Sequence, residues 1–402
     1  MKSILQKILK YFSKKILEKY QPEVIGITGS VGKTSAKEAI HTILSDKFSV
    51  QRNIKNYNNE IGLPLTIIGR ETAGKNIFGW LLIFLYALKL LIFRNKDYPK
   101  ILILEMAVDK PGDMDYLLDF VKLGIGVLTR IGPVHLEFFG TQEKILEEKS
   151  KLIKTLPQDG FAVLNYDHKD VLSLCNETRA KCITYGFEDG ADLRAKNILI
   201  TKGQASFTLE YKDRAVPIAL LRSIGKPQIY AILAGISCGL AKGMELDEIK
   251  EALKNYEPPK GRGNLIKGIK NTTIIDDTYN SSPQSVEMAL ENLKHLSNSN
   301  RSFAVLGDML ELGNITEEAH LEIGAKVREL GVDYLFTVGP RAKDIAKGAE
   351  EAGMYKDKIY SFDNNDDLGK FLQEKMEEGD TVLVKGSNAM RMEEIIQEIK
   401  AI

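Results

Sequence analysis

The 402-residue sequence predicts an α/β protein: a phosphate-binding domain on a mostly parallel sheet, then a second, smaller α/β unit. Three observations lead there. GITGSVGKTS at 26–35 places a glycine-rich turn ending in Gly-Lys-Thr between an apolar run and a helical pattern. Short apolar runs alternate with helical stretches, the pattern of buried parallel strands. NYEPPKGRGN at 255–264 is Pro- and Gly-rich and interrupts the alternation, which then begins afresh.

The elements follow in order. MKSILQKILKYFSKKILEKY reads as an amphipathic helix, with Ile4, Leu5, Ile8, Leu9, Phe12, Ile16 and Tyr20 on one arc. Lys2, Lys7, Lys10 and Lys14 lie on the other arc, while Lys15 and Lys19 interrupt the apolar one. Such a helix either docks on the protein's own body or lies on an anionic membrane surface. It lacks the continuous apolar core and small-residue site of a cleavable signal. VIGIT, KILILEM, GIGVLT, FAVLN and KCITYGF read as strands of the first sheet. Polar alternation over 192–220 predicts a small antiparallel patch, and a helix is expected over 227–242. In the second unit TTIIDD, FAVLGDM, YLFTVG, KIYSF and TVLVKGS are strands with helices between them and one after the last. The expected divisions are 1–22 for the basic helix, 23–260 for the phosphate-binding domain and 261–402 for the second domain.

IFGWLLIFLYALKLLIF at 77–93 is apolar on every face, with Lys89 its single charge. It has the shortest length that spans a bilayer. A full span would put Lys33 and Glu105 on opposite sides of a membrane, which excludes a span if the two share one site. The segment is therefore expected to be a buried hairpin or an interfacial anchor, flanked by Arg94 and Lys96.

Lys plus Arg and Asp plus Glu each number 55, so no global basic field argues for a nucleic-acid partner. An apolar content of 44% and a charged content of 27% are those of a globular protein. Cys175, Cys182 and Cys238 form no CxxC pair and are expected as reduced thiols in a cytosolic protein.

The strict phosphate-loop pattern wants Gly five residues before Gly32, where Ile27 stands. The remaining Thr28, Gly29, Ser30, Val31, Gly32, Lys33, Thr34 and Ser35 still suffice for ATP. Backbone N–H groups and a helix N-terminus attract an anion, Lys33 reaches terminal phosphates, and the Thr34 hydroxyl suits Mg²⁺. Glu105 ends an apolar run, where a metal-holding carboxylate is needed. No Asn-Lys-x-Asp motif supports a GTPase.

NYNNEIGLPLT (56–66), LEMAVDKPGDM (104–114), TRIGPVHLEFFG (129–140), EEKSKL (147–152), LNYD (164–167), PPKGRG (258–263), IIDDTYNSSPQS (274–285), LGDMLELG (306–313) and LVKGS (383–387) join the phosphate loop in one order. Together they resemble the Mur ligases, in the branch that adds D-Ala-D-Ala to a muramyl-tripeptide precursor of peptidoglycan, over roughly residues 23–400. The resemblance implies a central P-loop ATPase domain, a Rossmann-like C-terminal domain, and a cytoplasmic, monomeric ATP-dependent amide ligase. ATP would activate a carboxylate as an acyl phosphate, which an amine then attacks. It implies that Lys33 and the loop amides hold the β- and γ-phosphates, that Thr34 and Glu105 hold one Mg²⁺ and that His135 holds a second metal ion. Lys149 matches a lysine that family members carry as a carbamate. Arg262, Asp277 and Tyr279 would cover the nucleotide, and Asn58, Asn59, Asn280 and Lys385 would meet the small-molecule substrates. Asp308, Glu311 and His320 match positions near the acceptor, although helix caps and surface charge explain them equally well.

The sequence departs from the family in three places. The 22 residues before the loop strand read as one helix where a UDP-binding domain is usual. The adenine-placing His and Asn are Pro227 and Ala231, and Arg130 stands where Asn is commoner. These departures leave open the same chemistry on a different, lipid-linked acid, or an inactive nucleotide-binding scaffold. Peripheral membrane contact through 1–20 and 77–93 is a further expectation.

Overall fold

A computed structural model of the chain describes residues 2–54, 57–134, 136–201, 204–221, 225–298 and 300–401. The first sheet holds β1 (Glu23–Thr28), β2 (Val50–Arg52), β3 (Ile101–Glu105), β4 (Ile125–Leu128), β5 (Phe161–Asn165), β6 (Lys181–Gly186), β7 (Leu193–Thr201), β8 (Gln204–Tyr211) and β9 (Arg214–Leu221). Their order is β2-β3-β1-β4-β5-β6-β7-β8-β9, parallel through β7 and antiparallel in the last two pairings. The antiparallel patch and the helix after it stand where the alternation places them.

The period of two explains why these strands are buried. Ile25, Ile27, Ile101 and Ile103 face one way, toward α2 (Lys33–Ser45), α9 (Lys226–Ala241) and α10 (Leu246–Leu253). Val24, Leu102 and Leu104 face the other way. That second layer contains α1 (Lys2–Tyr20), α3 (Gly62–Ile68), α4 (Ile77–Ile92), α5 (Asp113–Leu118), α6 (Leu136–Phe139), α7 (Gln142–Lys154) and α8 (Lys169–Leu172).

The second sheet runs β10 (Asn264–Lys267), β11 (Thr273–Asp277), β15 (Thr381–Lys385), β12 (Ser302–Gly307), β13 (Tyr334–Val338) and β14 (Ile359–Phe362). Ala304 and Leu306 pack toward α11 (Pro283–Ser297), α12 (Thr316–Glu329) and α13 (Ala342–Glu351). Phe303 and Val305 pack toward α14 (Asn365–Lys375) and α15 (Glu393–Ile399). β2 and β10 were not legible: each is a short edge strand, and β10 pairs antiparallel with β11 directly after the expected linker.

Two expectations need correction. Residues 77–92 form one continuous helix, not a hairpin, because nothing in IFGWLLIFLYALKLLI breaks the i to i+4 ladder and Asn76 caps it through Gly79 N. Only Ile83, Ala87 and Leu90 of it are buried. Cys175 and Cys182 form a disulfide rather than two thiols, their Cα atoms 5.7 Å apart, because the turn after α8 lies alongside β6. Their separation of seven residues carries no such signal. Cys238 is a buried free thiol, as expected.

Candidate active site

A cavity shared by the two units lies at the C-terminal ends of β1, β11 and β15, where open α/β sheets place ligands. The phosphate loop leaves β1 and enters α2. Gly32 holds φ +88° at the helix N-cap, and no side chain caps the first turn, so its N–H groups face the cleft for an anion. Gly29 has φ +145°, and a Cβ there would stand 2.0 Å from Thr129 Oγ1. Neighbouring strands fix the loop. Ser30 N donates to Arg130 O at 2.6 Å, Thr129 Oγ1 donates to Val31 O at 2.6 Å, and Thr28 Oγ1 donates to Met106 O at 2.9 Å. Thr28 is thus a strut by its side chain. Lys33 Nζ donates to Gly29 O at 2.8 Å, folded over its own loop, and burial lowers its pKa.

Glu105 ends β3 beside the loop and is 3% exposed. Its Oε1 accepts from Thr34 Oγ1 at 3.3 Å and from Asn58 Nδ2 at 3.2 Å. Lys37 Nζ approaches Oε2 at 3.7 Å. Thr34 hydroxyl and Glu105 carboxylate therefore converge as hard oxygen donors, a set that fits Mg²⁺ together with phosphate oxygens. Among the described residues no group of three or more His, Cys, Asp or Glu could hold a metal by itself. His135 lies outside the described residues.

Lys149 projects from α7 and is 1% exposed; burial, with Lys33 nearby, lowers its pKa to about 7. Its neighbour Glu148 accepts from Gly112 N at 3.0 Å and Met114 N at 2.8 Å, fixing the start of α5. Asn59 Oδ1 accepts from Gly62 N at 3.0 Å and so caps α3.

The opposite wall comes from the second unit. Lys385 is 2% exposed and donates to Asp277 Oδ2 at 2.6 Å and Asn280 O at 2.9 Å. The Arg262 guanidinium stacks 3.9 Å from the Tyr279 ring, and its buried Nε has no hydrogen-bond partner. Val31, Gly32, Ser35, Arg262, Asp277 and Lys385 line one cavity between the units. Asn280 Oδ1 accepts from Ser281 N at 2.9 Å. Asp308 Oδ1 accepts from Ala342 N at 2.8 Å and serves α13. His320 is fully buried; Nε2 accepts from Met309 N at 3.0 Å, so Nδ1 carries the proton it donates to Thr316 O at 2.6 Å. Both have structural partners. Glu311 sits at φ +63° in the turn after β12.

A second narrow cavity of about 30 Å³ is lined by Pro227, Ala231, Asn165, Tyr185 and Tyr230 from one unit and Met288 from the other. Arg130 Nη1 lies 3.5 Å from Met288 Sδ, closing it. Tyr230 donates to Asp167 Oδ2 at 2.7 Å, beside this cavity.

Sequence reasoning missed Lys37 and Asn53. Asn53, fully buried, donates to Glu105 O at 3.0 Å and accepts from Glu105 N at 2.9 Å, which aims the strand end. Lys37 had a signal: it stands one helical turn after Lys33, on the buried face.

Two family models match this chain. The Mur ligase middle domain matches residues 27–78 and 85–239, and the Mur ligase, glutamate ligase domain matches 261–388. The chain belongs to the Mur ligase family. The residues skipped by the first match, 79–84, lie inside α4. UDP-N-acetylmuramoyl-tripeptide--D-alanyl-D-alanine ligase of Bacillus subtilis (strain 168) is 30% identical over 391 residues, covering 97% of this chain and 79% of that relative. The crystal structure of MurF ligase from Thermotoga maritima in complex with ADP superposes with a TM-score of 0.82 at 28% identity, over 98% of this chain and 83% of that one. MurF from Acinetobacter baumannii gives 0.81 at 24% identity, over 98% and 79%. The Mur ligase fold, mixed α/β with a large mostly parallel sheet and a second sheet, is the one described above.

Proposed function

We propose that this Mur ligase is an ATP-dependent amide ligase that adds D-Ala-D-Ala to a muramyl-tripeptide precursor of peptidoglycan. The observation that carries the reading is the convergence of the phosphate loop, Thr34 and Glu105 against Arg262, Asp277 and Lys385 across one cleft. The relatives named above supply the substrates. In the reaction a tripeptide carboxylate oxygen attacks the γ-phosphorus of ATP and ADP leaves. The amine nitrogen of D-Ala-D-Ala then attacks the acyl carbon, an amide forms, and phosphate and a proton are released. Residues 23–260 would bind ATP, and 261–402 would close over it and present the amine.

Anionic carboxylate and triphosphate repel each other, so cations must gather them. Lys33 turns from its loop carbonyls to the phosphates, and Arg262, with its unpartnered Nε, covers them. Thr34 and Glu105 would hold a Mg²⁺, which when bound neutralises phosphate charge. Asn58 orients Glu105 and Asn59 shapes the loop beside it. Lys149 is assigned to carbamylation: its neutral nitrogen adds to CO₂, a proton leaves, and a buried amine becomes an anion that would hold a second metal ion, with His135 a further ligand. We place the enzyme in the cytoplasm as a monomer.

The test is phosphate release by the purified chain with Mg²⁺, ATP and bicarbonate, adding UDP-muramyl-tripeptide and D-Ala-D-Ala singly and together. Release that requires both, with the amide product seen by mass spectrometry, is expected. Glu105→Gln should lower turnover at least ~100-fold. Nucleotide binding with no release under any combination would refute the ligase reading.

A further inference from the structure

The side of α4 that faces away from the protein is apolar except for Lys89. Phe78, Leu81, Leu82, Leu85, Leu88 and Ile92 follow helical spacing and are exposed, Phe78 by 79% and Leu82 by 66%. Burying such side chains is worth far more than leaving them in water, and a stripe of this extent marks an interaction site. α1 lies beside α4, running in the same sense. The Phe12 and Phe84 rings stack 5.9 Å apart, and Lys19 Nζ caps the carbonyls of Leu90 and Leu91 at 2.8 Å. α1 docks on the body through Leu9, Ser13 and Ile16, all fully buried, and leaves Ile4, Ile8 and Tyr11 exposed. The two helices make one platform.

Charge selects the partner. α4 contains no acidic residue, and the single one in α1, Glu18, is paired with Lys15 at 2.8 Å. Lys7, Lys14, Lys89, Arg94 and Lys96 are exposed and carry no ion pair among the described residues. An apolar stripe with an unneutralised cationic border suits acyl chains below anionic headgroups. Length sets the mode. The sixteen residues of α4 reach about 24 Å, short of the roughly 30 Å hydrocarbon core, and among the described residues no helix is long and apolar enough to cross a membrane. The family's middle-domain match skips residues 79–84, within this helix.

We infer that α4 and α1 form a peripheral docking face for an anionic lipid bilayer, with α4 lying in the plane of the interface. The Gln6 amide of α1 donates to Glu60 Oε1 at 2.9 Å, which ties the platform to the loop before α3. The inference stands on this surface alone and does not depend on the ligase reading.

Co-sedimentation of the full chain with vesicles of mixed phosphatidylglycerol and phosphatidylcholine tests it, against vesicles of phosphatidylcholine alone. Binding to the mixed vesicles should be at least about tenfold tighter and should weaken as salt rises. Phe78→Ser/Leu82→Ser/Leu85→Ser should lose at least about tenfold of that binding while keeping the wild-type circular dichroism and nucleotide affinity. Lys89→Glu/Arg94→Glu should lose the preference for anionic lipid. Three results would overturn the inference: wild type left in the supernatant with both vesicles, a triple variant that binds as well as wild type, or a wild-type dimer that the triple variant dissociates, which would make a second copy the occupant.

Discussion

Lys37→Met tests the electrostatic wiring of the metal end of the cleft. The Lys37 ammonium, on a side chain 2% exposed, lies 3.7 Å from Glu105 Oε2 and 3.4 Å from Glu38 Oε1. At an effective dielectric of about 20, opposite charges 3.7 Å apart attract by roughly 4 kcal/mol. Removing one member of a buried pair costs about 3–5 kcal/mol, because the other charge stays buried. Here both carboxylates keep other partners: Thr34 and Asn58 still donate to Glu105, and Arg52 Nε still pairs with Glu38 at 2.7 Å. The loss should sit at the low end, about 3 kcal/mol. For a domain of this size that is a fall in Tm of roughly 6–12 °C, read by circular dichroism without ligand. With Mg²⁺ and ADP present, a dication beside Glu105 supplies the missing positive charge, and the deficit should shrink by about half or more. A variant within about 2 °C of wild type would refute the assigned ion pair. A deficit unchanged by Mg²⁺ and ADP would refute the placement of the metal at Glu105.

Two further predictions concern the same cleft. The pKa of Lys149 is depressed from 10.5 to about 7 in the fold, so between those values the unfolded chain binds the proton and the folded chain does not. Stability in a bicarbonate-free buffer should therefore fall as pH drops from about 10 to 7 and level off below. Lys149→Met should be the more stable protein at pH 6 by roughly 3–5 kcal/mol, the gap closing as pH rises toward 10; a constant gap in urea titrations would contradict the depressed value. In the phosphate loop, Gly32→Ala meets only Thr129 Cβ at 3.9 Å and should cost about 1–2 kcal/mol of ADP affinity from its positive φ, near tenfold in Kd. Gly29→Ala drives a Cβ into Thr129 Oγ1 and stands 3.1 Å from Arg130 O, so calorimetry should detect no ADP binding; equal effects of the two substitutions would refute the described loop.

Much of this protein is local information. The phosphate loop is legible because its chemistry needs contiguous residues: two glycines with positive φ, a lysine and a threonine on the first helical turn. The buried strands are legible because parallel sheets covered on both faces must be apolar throughout, as ILILE and TVLVK are. The order of the motifs sufficed for the family.

What the sequence could not carry depends on residues far apart in the chain. Lys37 and Asn53 acquire meaning only because β3 lies between β2 and β1, which brings Glu105 against α2 and the end of β2. Asn59, Asp308 and His320 have the composition of site residues, and only their partners show that they hold backbone. A helix apolar on all sides gives no periodic signal for which side is buried. Packing of α4 against α1 and α3 buried one side and left the other in solvent, and that choice belongs to the tertiary structure alone.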